Sequence, residues 1–298
     1  MPSLRSRLFR PLARLVGARM TLLTDLARLR AFMSVGSSRP ILPRGTQWQR
    51  VPANGVPAEW ICAPGVLSDR VLLYLHGGGW VLGLYNNHRW LAAQLSRVCN
   101  ARVLCVDYRL APKAPYPAAL DDCLAAYRWL LQSGIEPRHI AIGGDSAGGN
   151  LTLTTMLALR DAGEPLPAAG VCISPATDLA CMGETFRTKD DAMLSPDLAL
   201  MMVRSYIGQN DPLAPLISPL YADLRSLPPI LIHAGESEIL LSDATRLAER
   251  ACVAGVDVTL KVWPAMWHVW HMFAPFLPEA RQAVDDIGTF VRKHVTRG

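Results

Sequence analysis

The sequence predicts an α/β fold: a mostly parallel sheet of eight strands, helices on both faces, and a helical cap. Three observations carry this. After residue 70, short aliphatic runs alternate with longer helix-like ones, the order that builds strand–helix–strand crossovers. Two of the short runs, Val71 to Leu75 and His139 to Gly143, read as strands covered on both faces. The chain has 298 residues, half of them hydrophobic, enough for one large core, which favours one domain with a cap over two equal domains. The expected division is a basic helical cap segment over 1–45, then the α/β domain over 46–298 with a cap insertion at about 180–215.

The elements follow in order. Residues 1–50 hold ten arginines against the single acid Asp25, a local +9 in a chain of net +5, which leaves −4 for the remainder. From Leu4 to Phe32, Arg alternates with Leu, Val and Phe at roughly helical spacing, and three readings compete: a cap helix, a surface helix attracted to anionic lipid, or partial disorder. Strands at 47–52 and 57–62 are joined by Asn54-Gly55, a hairpin signal, so the sheet opens with an antiparallel pair. Further strands fall at 71–75, 103–107, 139–143, 169–174, 229–234 and 257–263. Helices fall at 87–99, 118–133, 147–161, 196–207, 242–255 and 279–294. No repeat or low-complexity segment interrupts the series.

Two strand-to-turn motifs carry chemistry. The run His139-Ile140-Ala141-Ile142-Gly143 feeds Gly144-Asp145-Ser146-Ala147-Gly148, with a helix behind it. A serine between glycines at a strand–helix turn is a nucleophile elbow: small neighbours let the chain turn tightly and expose the hydroxyl. Val71 to Leu75 runs into His76-Gly77-Gly78-Gly79-Trp80, whose unobstructed N–H groups suit an oxyanion, with Ala147 N–H as the other donor. No Gly-Lys-Ser/Thr follows, and Leu82 stands where a dinucleotide fingerprint needs its last glycine.

A serine nucleophile needs a base, and the base an acid, both downstream in this chain order. His233 ends an apolar strand and reads as packed or paired, and His294 as solvated. His268 and His271 lie in the loop after strand 257–263, and spacing does not choose between them. The acid narrows to Glu236 or Glu238 in the loop after strand 229–234. Asp243 reads as a solvated first-turn acid and stays as the rival.

With these motifs the chain resembles the hormone-sensitive-lipase family, the bacterial carboxylesterases of the α/β-hydrolase fold. The resemblance rests on residues 76–80, Asp107 to Pro112, Pro117 to Asp122, Gly144 to Asn150, Ser174 to Leu179 and Ser218 to Leu224, and covers about residues 45–295. It implies Ser146 as nucleophile, His268 as base, Glu238 as acid, and Gly78, Gly79 and Ala147 as oxyanion donors. It also favours the cap reading of the N-terminus. Two departures stand out: a glutamate where most relatives use aspartate, and Trp267 before the histidine. The implied activity is a serine carboxylesterase acting on short- to medium-chain esters through an acyl-enzyme. An amide deacetylase or lactonase with the same triad is the alternative. A non-catalytic receptor is disfavoured because nucleophile and base are both present, and epoxide-hydrolase chemistry because it needs a carboxylate at Ser146.

The cap insertion carries Met182, Phe186, Met193, Leu194, Met201, Met202 and Tyr206. The expected pocket wall is Trp80, Tyr85, Met193, Trp267 and Trp270. The seven cysteines form no C-x-x-C pair and read as buried free thiols of a reducing compartment. His268 and His271, at i, i+3 without nearby ligand-like carboxylates, do not make a zinc site. No cofactor, metal or nucleic-acid partner is expected. Arginines interrupt every stretch that might serve as a signal, and no run reaches a membrane span. Cytoplasmic residence follows, with peripheral membrane contact through the basic N-terminus and a homodimer left open.

Overall fold

A computed structural model describes residues 3–23, 25–37, 39–66 and 69–296. Positions 1, 2, 24 and 38 of the expected N-terminal cap, and 67, 68, 297 and 298 of the expected α/β domain, lie outside them. The eight strands are β1 (Gln47–Ala53), β2 (Val56–Cys62), β3 (Val71–Leu75), β4 (Arg102–Val106), β5 (Ile140–Asp145), β6 (Ala169–Ile173), β7 (Ile230–Gly235) and β8 (Val258–Trp263). They form one sheet in the order β1-β2-β4-β3-β5-β6-β7-β8. Asn54 and Gly55, both at positive φ, close the β1–β2 hairpin. β2 also runs antiparallel to β4, and every pair from β4 to β8 is parallel.

The helices are α1 (Leu4–Leu22), α2 (Leu26–Met33), α3 (Asn86–Cys99), α4 (Ala118–Gln132), α5 (Ala147–Asp161), α6 (Thr185–Thr188), α7 (Pro196–Ile207), α8 (Leu241–Val253) and α9 (Pro278–His294). Alternate residues of each central strand point to opposite faces. On one face Leu73, Leu75, Ile142 and Ile232 pack with apolar residues of α4, α5 and α8. On the other, Leu72, Tyr74, Val103 and Val171 pack with those of α3 and α9. Both faces are thus dry, which is why β3, β5, β6 and β7 are buried at every position.

Family-motif residues outside the serine turn hold loops. Arg109 grips Asp122 with Nη2–Oδ1 at 2.7 Å, and its N–H donates to Oδ2 at 2.8 Å. Asn150 Nδ2 donates to the carbonyls of Ala176 and Ile217. The cysteines differ from expectation in part: Cys99, Cys105, Cys123 and Cys172 are buried, but Cys252 is exposed on the outer face of α8.

Two segments lie over the strand ends. α1 and α2 come from the N-terminus, and α6 and α7 from the stretch between β6 and β7. They meet directly: Thr21 Oγ1 and Ser195 Oγ are 2.9 Å apart, Arg14 pairs with Asp190, and Gly17 lies so close to Ala192 and Met193 that a Cβ would collide with their backbone. α2 is pinned below by Arg30, whose guanidinium donates to the carbonyls of Val81 and Ala111 at 2.8 and 2.7 Å.

Candidate active site

Every side chain singled out for the site follows the C-terminal end of a parallel strand, where open α/β sheets gather their ligands. Ser146 follows β5 with φ 55° and ψ −116°, a conformation that costs about 1–3 kcal/mol and persists only when its surroundings enforce it. They do so here. Ser146 N–H donates to Ile173 O at 2.8 Å, and a Cβ on Gly148 would strike the Leu75 carbonyl. A Cβ on Gly144 would strike Leu75 O and Gly148 O, so the elbow's flanking glycines are required by contact with β3.

His268 Nε2 lies 2.9 Å from Ser146 Oγ, and its Nδ1 lies 3.2 Å from Glu238 Oε2. Glu238 is wholly buried, and its Oε1 accepts from Ser174 Oγ at 2.7 Å and from Gly235 N–H at 2.6 Å. Ser174 Oγ also accepts from Val269 N–H at 3.2 Å, tying the acid to the histidine loop. Burial pulls the His268 imidazole down, but the hydrogen bond and charge of Glu238, with Asp191 and Asp145 behind it, outweigh burial and leave it above 6.5. A hydroxyl, an imidazole and a carboxylate in line let a serine lose its proton as it attacks a carbonyl.

The other candidates lie elsewhere. His271 Nε2 meets His233 Nδ1 at 3.1 Å in a buried pair, and burial depresses both, His233 to about 3. Glu236 accepts from Ala265 N–H at 2.9 Å on the outer side of its loop. Asp243 is not the solvated acid its position suggests. It is buried and accepts from Thr177 and Asp178 N–H at 2.7 and 2.8 Å, fixing the turn after β6, and burial pushes its carboxyl up to about 7.

Gly78 and Gly79 have φ of 109° and 60° and border the cleft beside Ser146. A Cβ on Gly79 would strike the Met202 side chain, so glycine is needed there both for conformation and for space. Ala147 opens α5, and the first N–H groups of a helix have no partner within it. Asp145 binds the two motifs together, accepting from Tyr74 hydroxyl and from Gly77 N–H at 3.0 Å.

A cleft of about 480 Å³ opens over Ser146, walled by Val16 and Met20 of α1, Phe32 and Met33 of α2, Tyr85, Met193, Leu194, Met202, Val269 and Phe273. On the far side of Gly79 and Met202 lies a second cavity of about 30 Å³, bounded by Ser146, Trp80, Ala176, Leu179 and Phe186. Tyr85 and Met193 therefore face the cleft, and Trp80, stacked on Tyr206 at 4.3 Å, backs the small cavity. Trp267 and Trp270 do not line the pocket. Both are fully buried beneath the loop, Trp267 against Phe273 and Trp270 against His271, because a loop that must hold an imidazole still is anchored by large side chains turned into the core. Met182 is exposed.

Asp191 is the site residue the sequence did not reveal. Lys189-Asp190-Asp191 reads as a solvated polar run. Yet Asp191 Oδ1 accepts from Met193 N–H at 2.9 Å and from His268 N–H at 3.2 Å, and burial with Glu238 nearby pushes its carboxyl up to about 6. Donor atoms of Asp191, Glu238 and His268 lie within 4.8 Å of one another, close enough for one cation. Glu238 and His268 are engaged in the hydrogen bonds just described, whereas Asp191 Oδ2 is buried without a hydrogen-bond partner among the described residues.

Comparison with known proteins agrees with this architecture. Residues 72–272 match a family model described as alpha/beta hydrolase fold. An acetyl-hydrolase of Streptomyces hygroscopicus is 45% identical over 243 residues, 81% of each chain. An esterase of Acinetobacter venetianus is 39% identical over 239 residues, 79% of this chain and 78% of that one. The crystal structure of an esterase from the bacterial hormone-sensitive lipase family superposes with a TM-score of 0.92 at 45% identity, covering 99% of this chain and all of that one.

Proposed function

The chain belongs to the hormone-sensitive-lipase family of α/β-hydrolases, and we propose on that premise that it hydrolyses short- to medium-chain carboxylic esters through an acyl-enzyme on Ser146. The observation that carries this is the unbroken line Ser146 Oγ, His268, Glu238, with spacings of 2.9 and 3.2 Å. His268 Nε2 takes the Ser146 proton as Oγ attacks the ester carbonyl. The N–H groups of Gly78, Gly79 and Ala147 hold the oxygen that becomes negative. The imidazolium then protonates the leaving alcohol, and water repeats the sequence on the acyl-enzyme. Glu238 fixes the tautomer with Nδ1 protonated and stabilises the imidazolium, its own orientation set by Ser174 and Gly235.

The two cavities support a division of the substrate. The acyl chain takes the small cavity behind Met202, which has room for only a few heavy atoms, and the alcohol takes the open cleft. p-Nitrophenyl esters of increasing chain length test this. Turnover is expected to favour acetyl to butyryl and to fall steeply with longer chains. Ser146→Ala is expected to lower kcat on the order of 10⁴- to 10⁶-fold. A Ser146→Ala protein that retains a burst of p-nitrophenol would exclude the acyl-enzyme.

A further inference from the structure

α1 shows a second apolar face that none of the described residues covers. Its inner side, Ser6, Ala13, Gly17 and Met20, is buried. On the opposite side Leu4, Leu8, Leu12, Leu15 and Leu22 are 51–81% exposed, five of the twelve exposed large hydrophobics among the described residues. Exposed apolar residues are ordinarily scattered singly. Here the spacing of 4, 4, 3 and 7 residues aligns them in one stripe along a 19-residue helix about 28 Å long. The helix carries five arginines and no acid; Arg10 and Arg14 are engaged by Asp190, and Arg19, at the angle of the stripe between Leu15 and Leu22, lies over the Phe32 ring. At about 100° per residue, Arg5 and Arg7 fall on opposite flanks of the stripe.

We propose that this face of α1 docks on an anionic lipid bilayer, and that the enzyme meets there esters dissolved in the membrane. A leucine stripe flanked by arginines is complementary to a surface that is apolar within and negative at its headgroups. A second copy of the chain is a poorer occupant, since two-fold pairing of this face would bring two sets of arginines together with no acid of α1 between them. The stripe also lies beside the site. Val16 and Met20, on the same helix, wall the cleft over Ser146. Phe276, exposed at the cleft, stacks on Phe9 of α1 at 5.7 Å. Docking through α1 thus places apolar lipid next to an apolar opening. The choice of substrate rests on the ester hydrolysis proposed above; the docking itself does not.

Flotation of the full chain carrying Ser146→Ala with phosphatidylcholine vesicles, with and without phosphatidylglycerol, separates the two parts. Binding is expected to require phosphatidylglycerol and to weaken as salt is raised. Leu8→Ser, Leu12→Ser and Leu15→Ser combined are expected to weaken it on the order of a hundredfold. Arg5→Gln with Arg7→Gln is expected to weaken it about tenfold. In the Ser146 protein both sets of changes leave turnover of soluble p-nitrophenyl acetate unaltered and lower turnover of a vesicle-dissolved ester. The docking proposal is overturned by absence of binding, by equal binding to both vesicles, or by a dimer in light scattering that only the leucine changes dissolve. A protein that binds vesicles but hydrolyses neither ester overturns the catalytic reading and leaves the docking intact.

Discussion

In the proposed mechanism His268 must be neutral to accept the Ser146 proton, so kcat/KM is expected to rise with pH through the imidazole's ionisation in the free enzyme. Its pKa is raised above 6.5 because the charges of Glu238, Asp191 and Asp145 outweigh burial, so the acid limb is expected to have its midpoint above 6.5. Asp191→Asn removes one of those negative charges, makes the imidazolium less stable, and is expected to move that midpoint down. A purely structural role for Asp191 would lower the rate at every pH without moving the limb. Glu238→Gln is expected to lower kcat on the order of 10³- to 10⁴-fold with little change in melting temperature. Asp243→Ala is expected to do the reverse, costing about 1–3 kcal/mol of stability by leaving the Thr177 and Asp178 N–H groups without their acceptor while largely sparing kcat. Equilibrium unfolding beside steady-state kinetics tests both. Ser146 was legible because the turn's geometry restricts its neighbours to glycine. Asp243 and Asp191 were not, since an acid at a helix start and an acid in a polar run both have a solvated reading that only packing overturns.

Among the elements, the central strands β3, β5, β6 and β7 were readable to within a residue or two, because a parallel strand buried on both faces has a sequence that little else shares. Ends drifted by one or two residues, as at β5, which runs on to Asp145, and at α8, where Ala254 and Gly255 look like continuations by composition alone. The direction of large side chains in loops was not readable: a tryptophan beside a functional histidine faces the cleft or the core with the same local sequence, and Trp267 and Trp270 turn to the core. α2 offers a test at this scale. It is held over the cleft by the Arg30 hydrogen bonds to Val81 and Ala111, and its Phe32 and Met33 form part of the wall. Arg30→Met is expected to loosen α2, raising KM several-fold and speeding limited proteolysis before β1, with kcat much less affected. A change in kcat alone would mean that Arg30 acts instead on the glycine turn beside Val81.

For the whole molecule, the sheet determines which parts of the site are rigidly related. The serine turn and the glycine turn follow β5 and β3, neighbours at the centre, and are braced by Asp145 and by contact of Gly148 with Leu75. No helix among the described residues is long and apolar enough to cross a membrane. The imidazole, by contrast, is suspended from the margin: its loop follows β8, the last strand in order, which among the described residues has β7 as its sole neighbour in the sheet. Fraying on warming starts at such borders. Heat is therefore expected to disarm the protein before it melts it, with hydrolysis fading at temperatures where far-ultraviolet ellipticity is still that of the cold sample. Cooling promptly from that window is expected to restore full turnover, since the central strands will have kept the rest of the machinery assembled.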